Sequence, residues 1–167
     1  MVQSYDLESV ADKVKAILQA NLPAEIIAVN TEKGGSIILT NPAAYYFGLR
    51  MIDAAQQKGK SVVSVIVASQ DGEDFNPGIT EENSYIEVSL HSWEGTAEEV
   101  ERKILRYGRA LRNVLDKNSV IKQLTPHPDN LKDAVVTNID YGILEYIGDI
   151  YMKSVTIRLR VKDIYTY

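Results

Sequence analysis

Residues 84–115 read SYIEVSLHSWEGTAEEVERKILRYGRALRNVL, and within this stretch the spacing of apolar residues changes from two to three or four. Ile86, Val88 and Leu90 alternate with Tyr85, Glu87, Ser89 and His91, as in a strand with one wet face. After Gly95 the apolar positions are Val100, Ile104, Tyr107 or Gly108, Leu111 and Leu115, the buried stripe of a helix. Thr96 followed by Glu99 makes a capping box, and Glu98, Glu99 and Glu101 put negative charge where the helix dipole favours it. Glu98 with Arg102, and Glu99 with Lys103, are spaced for ion pairs worth about 0.3–0.5 kcal/mol each. Gly108 costs the helix about 1 kcal/mol relative to alanine, which predicts a close approach there by another backbone. A strand that leads at once into an amphipathic helix predicts a sheet with helices on one face.

The rest of the chain extends this plan in both directions. Upstream, SVVSVIVAS (61–69) is apolar at nearly every position, as in a strand buried on both faces. Between the two strands, SQDGEDFNPGITEEN (69–83) reads as an acidic surface loop with Asp71, Glu73, Asp74, Glu81 and Glu82. Downstream, AVVTNIDYGIL (134–144) sets Val135, Thr137, Ile139 and Tyr141 against Val136, Asn138 and Asp140. In MKSVTIRLRVKDI (152–164), Val155, Ile157, Leu159 and Val161 alternate with Ser154, Thr156, Arg158, Arg160 and Lys162. At the other end, Leu7, Val10, Ala11, Val14, Ile17 and Leu18 define a first helix that Asp6 or Ser4 can cap. LPAEIIAVNTEKGG predicts a short second helix with Pro23 in its first turn and Gly34 as a left-handed cap. Residues 36–59 are left open apart from a helix expected over residues 49–57. The expectation is an α+β fold: a mostly antiparallel four-stranded sheet with helices packed on one face, formed by residues 1–167 as one domain.

Composition narrows the function. The 167 residues contain no cysteine and two histidines, which leaves few ligands for zinc and none for a disulfide framework. The N-terminal stretch has acids where a signal peptide has bases, and no apolar run approaches the ~20 residues of a membrane span, so a soluble protein is expected. A formal net charge of −5 argues against nonspecific nucleic-acid binding, which relies on clustered lysine and arginine. The best enzyme reading gathers His91, Glu94, Asp140 and the acids of 69–83, Asp71 among them, into a divalent metal site. The segment lacks the register of a calcium loop, and no phosphate-loop, dinucleotide, nucleophile-elbow or H-E-x-x-H motif occurs in the chain. We therefore assign no catalytic, cofactor or metal residue, and expect a protein without enzymatic activity or cofactor. Arg102, Arg106 and Arg109 share one flank of the helix, which reads either as a solvated face or as a subunit contact. Ten tyrosines against two phenylalanines suit interfaces, where a large apolar body needs a polar tip.

The series ADKVKAILQANLPAEIIAVNTEKGG, NPAAYYFG, an apolar strand, the strand ending in Trp93-Glu94-Gly95, and the helix with Arg106-Tyr107-Gly108-Arg109-Ala110-Leu111 resembles the tail terminator proteins of long-tailed bacteriophages. The resemblance implies an α+β subunit of a homo-hexameric ring in the virion, made in the host cytoplasm and seated at the head-proximal end of the tail tube. Such a ring stops tube growth and offers a docking surface to head and neck connector proteins. Its partners would be further copies of itself, the tail tube protein and the connector, with sheath protein a further candidate and DNA passing through the lumen without specific binding. The expected interface residues are Arg102, Arg106 and Arg109 against an acidic patch of a neighbour, and Asp71, Glu73, Asp74 and Phe75 against basic residues of an adjacent subunit or the tube protein, with Arg158, Arg160 and Lys162 of a neighbour as candidates, because head-to-tail contacts need two complementary patches on one subunit. Another neck or head-completion protein, or a small metal-dependent enzyme using His91 and nearby acids, are the alternatives.

Overall fold

The structure is a computed structural model that describes residues 7–48, 57–76, 79–117 and 131–166; of 72–76, 79–81, 131–133 and 163–166 it describes the backbone alone. The caps expected at Ser4 or Asp6, nearly all of the helix expected over 49–57, and His127 lie outside the described residues. The first element is a single helix, α1 (Leu7–Lys33), where two were expected. Proline inside a helix removes one N–H and crowds the carbonyl four residues back, at a cost of about 3 kcal/mol. Yet the buried series Val10, Ala11, Val14, Ile17, Leu18, Leu22, Ile26 and Val29 runs straight through Pro23. Burying Leu22 and Ile26 on either side contributes about 1.5–3 kcal/mol each, which offsets the proline. The helix ends as the sequence predicts: Gly34 takes φ +56° and donates its N–H to the Asn30 carbonyl at 2.9 Å.

The sheet corrects the expected architecture. Among the described residues it has six strands and is mixed: β1 (Ala44–Phe47), β2 (Ser61–Asn76), β3 (Ile79–Glu94), β4 (Leu131–Tyr141), β5 (Glu145–Ile147) and β6 (Ile150–Thr166). The order is β1-β2-β3-β6-β4, and β5 also pairs with β6. Only β1 against β2 is parallel. The two added strands are four and three residues long, too short to show an alternation of their own. Their neighbours define them: Ala43 N–H bonds the Ser61 carbonyl and Gly48 N–H the Val65 carbonyl, each at 2.8 Å.

The segment 69–83, expected as a loop, is strand on both sides of residues 77–78. Asp71 stands opposite Asn83, Gly72 opposite Glu82 and Glu73 opposite Glu81. Strand β6 accompanies β3 over its whole length, from Ile79 opposite Thr166 to Glu94 opposite Tyr151. The strands of this hairpin therefore have a ladder partner that the local sequence does not reveal. At sixteen residues β3 is roughly 50 Å long, whereas helix α2 (Ala97–Asp116), at twenty residues, reaches about 30 Å back along it. Its reach matches the ten-residue span from Glu94 to Ser84, and Val161 and Ala134 lie level with Ser84 as the last described inward residues that are buried. Beyond that level β2, β3, β6 and β4 continue as a long arm that α2 does not cover.

Both helices pack on one sheet face, where α1 and α2 share a core with Val63, Val65, Ile86, Val88, Leu90, Val155, Ile157, Leu159 and Val161. Val62, Trp93 and Ile150 form a smaller cluster with Ala44, Tyr46 and Met152. Alternation in β2 and β3 puts this cluster on the other face, so β2 is indeed buried on both sides. The expected pattern in β4 is corrected by a bulge between Val136 and Asn138. Val136 and Ile139, not Val135 and Ile139, pack on the core, and Val135 is 37% exposed. The residue that closes on Gly108 is also not backbone: a Cβ there would lie 2.8 Å from the Tyr141 hydroxyl oxygen. Next to it, both Tyr107 and Gly108 are buried. The Tyr107 hydroxyl donates to the Thr40 carbonyl at 2.7 Å and accepts from Thr40 N–H and Ser61 Oγ, each at 3.2 Å. With Asn30 bonding both backbone groups of Leu39, it fixes the irregular chain that leads into β1.

Because packing carries α1 through Pro23, Pro23→Ala should restore one helical N–H and raise stability by up to about 3 kcal/mol. A higher denaturation midpoint at unchanged m-value is the expected result, and an unchanged or lower midpoint would show that α1 exploits the proline.

Candidate functional site

The turn from β3 into α2 holds the most buried charge described. Thr96 caps α2 by accepting from Glu99 N–H at 3.3 Å, and Glu99 itself turns to Lys103 at 3.0 Å. Lys103 Nζ also reaches Glu94 Oε1 at 2.8 Å, with both side chains nearly inaccessible. Burial lifts the Glu94 carboxyl above its ordinary pKa, with Lys103 offsetting only part of that rise. Burial alone would lower Lys103, but the hydrogen bonds and charges of Glu94 and Glu99 outweigh it and hold the ammonium above its usual value. One turn along, Glu101 holds Lys153 of β6 by two bonds of 2.8 Å. The Lys103–Glu94 and Lys153–Glu101 pairs bind α2 to the sheet.

The arginine flank has partners within the chain. Arg102 Nε meets Glu98 at 2.9 Å, as its spacing predicts. Arg106 donates to the Gly34 carbonyl at 3.5 Å and to the Ile37 carbonyl. Arg109 grips Glu32 with two bonds of 2.8 and 2.6 Å, and that grip holds the Glu32 carboxyl below its ordinary pKa. Arg106 and Arg109 thus clasp the C-terminal end of α1, while Arg102 remains at the rim of an open cleft of about 510 Å³ lined by Lys33, Ile37, Glu98 and Arg106. Sequence reasoning found the flank but not the clasp, because Glu32 and Gly34 are more than seventy positions away.

The second group of expected interface residues lies on the arm and the sheet face opposite the helices. Arg158 is opposite Glu87 and bonds it at 2.6 and 3.1 Å, with its guanidinium carbon 5.9 Å from the Tyr85 ring centre. Arg160 is opposite Tyr85, and Lys162 is opposite Asn83, whose other neighbour is Asp71. The register therefore brings the acidic hairpin and the basic strand together within one chain. Asp71 is exposed; Glu73, Asp74 and Phe75 are placed by their backbone in β2.

The residues of the metal reading are dispersed. His91 faces away from the helices and Glu94 toward Lys103, on opposite faces of β3. Asp71 pairs with Asn83, eight residues from His91 and so about 26 Å along the strand. Burial lowers the His91 pKa despite the nearby Glu145 carboxylate, which leaves the imidazole neutral at pH 7. Among the described residues no group of three histidine, aspartate or glutamate side chains could hold a metal ion. No described helix is long and apolar enough to cross a membrane.

One surface has no counterpart in the sequence pattern. Tyr141, Ile143, Leu144, Tyr146 and Ile147 are all exposed, Ile143 by 79%. Read from pattern, Ile143 and Leu144 close a strand; in the structure they link β4 to β5 at the edge of the sheet.

No family model matches the chain, and no curated protein does. Among solved structures, a chain of the virion of a native gene transfer agent particle is similar at 15% identity, with 87% of this chain and 94% of that chain covered and a TM-score of 0.42. A likeness of this degree leaves the functional reading to the residues themselves.

Replacing Lys103 with methionine should strand Glu94 as an uncompensated buried charge and cost about 3–5 kcal/mol at pH 7. The Glu94 pKa is raised in the fold, so the deficit should grow as pH rises through the ordinary carboxylate range and shrink below it. Adding Glu94→Gln should recover most of the loss. Chemical denaturation of the three variants at pH 4 and 7 checks this, and a pH-independent deficit would contradict it.

Proposed function

We propose that this chain is a structural subunit of a phage-like particle that assembles as a six-membered ring on the head-proximal end of a tail tube. What supports the reading most is how the charged residues are used. Those around α2 hold helix to helix and helix to sheet, while the sheet has two different edges that no other described strand pairs with, and a charged arm. A subunit with dissimilar surfaces suits heterologous, ring-forming contacts. The residue series from α1 through α2 resembles phage tail terminators and points the same way.

In this reading the arm, with Asp71, Glu73, Asp74, Phe75 and Lys162, and the sheet face beside it, with Arg158 and Arg160, reach toward the tube protein or a neighbouring subunit. Arg102, at the rim of the cleft beside α2, meets an acidic patch of a partner, with Arg106 and Arg109 behind it. The mechanism is geometric: a ring that matches the last ring of the tube on one face and lacks a matching surface on the other ends polymerisation. The face turned away from the tube receives the head and neck connector. An acidic protein lining the passage repels DNA and lets it through.

Tails assembled without the protein should lose their upper limit of length, and added protein should restore it and appear as a sixfold cap at one end in electron micrographs. Equal length distributions with and without the protein, and no ring on either end, would overturn the proposal. Rings that bind an isolated connector but never a tube would instead assign the chain to the neck.

A further inference from the structure

Five of the ten exposed large apolar side chains among the described residues fall between positions 141 and 147. They sit on a preorganised edge. Gly148 and Asp149, at φ +55° and +66°, form the two-residue turn that lets Ile147 pair with Ile150. The rings of Tyr146 and Tyr151 lie 4.7 Å apart, and Tyr146 donates to Asp149 at 2.9 Å. The whole stretch 134–152 holds Asp140, Glu145 and Asp149 and no lysine or arginine. Among the described residues the imidazole near Glu145 is His91, whose pKa burial lowers, so it adds little positive charge at pH 7. Such an edge, apolar and acidic, calls for an apolar and basic partner.

The opposite edge of the same sheet has that character. Strand β1 pairs with β2 alone among the described strands, and its Phe47 is half exposed. Residues 34–48 carry no charge, and the adjoining turn presents exposed Lys60, which is not within ion-pair distance of an acid among the described residues, whereas the end of Lys58 lies over Gly95 beside the end of β3. Registers across the sheet also place the two edges level. The Lys60 carbonyl accepts from Trp93 N–H, Trp93 is opposite Met152, and Met152 is opposite Glu145. In the same way Val65, level with Phe47, leads through Val88 and Ile157 to Ile139. Strand directions agree too: β1 runs with β2 and β6, and β4 and β5 run against them, so one edge set beside the other would be antiparallel.

We infer that the β4–β5 edge of one copy of this chain docks on the β1 edge of the next, with Ile143, Leu144 and Ile147 as the apolar centre and Glu145 and Asp149 facing Lys60. The junction is head to tail, so each copy keeps one edge of each kind to offer, and a closing rotation makes a ring. The inference rests on the ring reading above and names the surface that builds it.

The absence of native cysteine gives a direct test. Lys60→Cys and Glu145→Cys are made singly and together and treated with a short bismaleimide. A mixture of the two single variants should give crosslinked dimers that neither gives alone, and the double variant should give a ladder. Ile143→Asp with Ile147→Asp should lower the association constant at least tenfold while circular dichroism and the unfolding midpoint stay close to those of the parent. Rings that form without a crosslink between positions 60 and 145, or Glu145→Cys copies that crosslink only to each other, would overturn this junction and leave the ring standing. A ladder in open filaments that never cap a tube would support the junction and overturn the tail-cap reading. A parent protein that neither associates nor crosslinks at high concentration or on tubes would overturn both.

Discussion

The pairing of β3 with β6, sixteen residues against sixteen without a register shift, is the constraint from which the remaining structure follows. It sets Leu90 against Val155, Val88 against Ile157 and Ile86 against Leu159, and these three pairs are the floor on which both helices rest. A slip of one residue would turn every one of them to the other face. The same pairing runs on past the reach of α2, and there it makes an arm in place of a loop. Core and arm are thus one continuous ladder, with α2 reaching over only part of its length.

Polar contacts inside the molecule attach the less regular parts to that ladder. Tyr107, fully buried, uses its hydroxyl on Thr40 and Ser61 and so sets where β1 begins. Lys103 joins the last residue of β3 to the first turns of α2, a contact that burial makes costly to disturb. Arg106 and Arg109 fasten the end of α1 to α2. Tyr45 shows the limit of this economy: its ring packs on the core, its hydroxyl has no partner, and burial, with Tyr107 nearby, pushes its pKa up to about 12.

Many of the charged groups among the described residues bond one another or the backbone of the same chain. The groups that a metal-dependent reaction would need are split between the two faces of β3 or separated along its length. What is left outward is of two sorts: a mixed-charge arm with a groove beside α2, and two sheet edges that differ in sign.

Several features were legible from the residues alone. The alternation in 84–93 and 152–164, the cap at Thr96, the left-handed end at Gly34 and both ion pairs on α2 are local matters, set by neighbours within four positions. The helix packing on one face also follows from those periods. Tertiary structure decided the rest. Pro23 sits inside a helix because its flanking leucine and isoleucine meet a core that only the sheet provides. The acidic stretch 69–83 becomes strand because β6 lends it a ladder, and β1 and β5 exist because longer strands lie beside them. The bulge in β4 exchanges Val135 for Val136 in the core, and Tyr141 closes over Gly108 from an element that begins fifteen residues after α2 ends. In each case the deciding partner is distant in sequence, so the local pattern carries no trace of it.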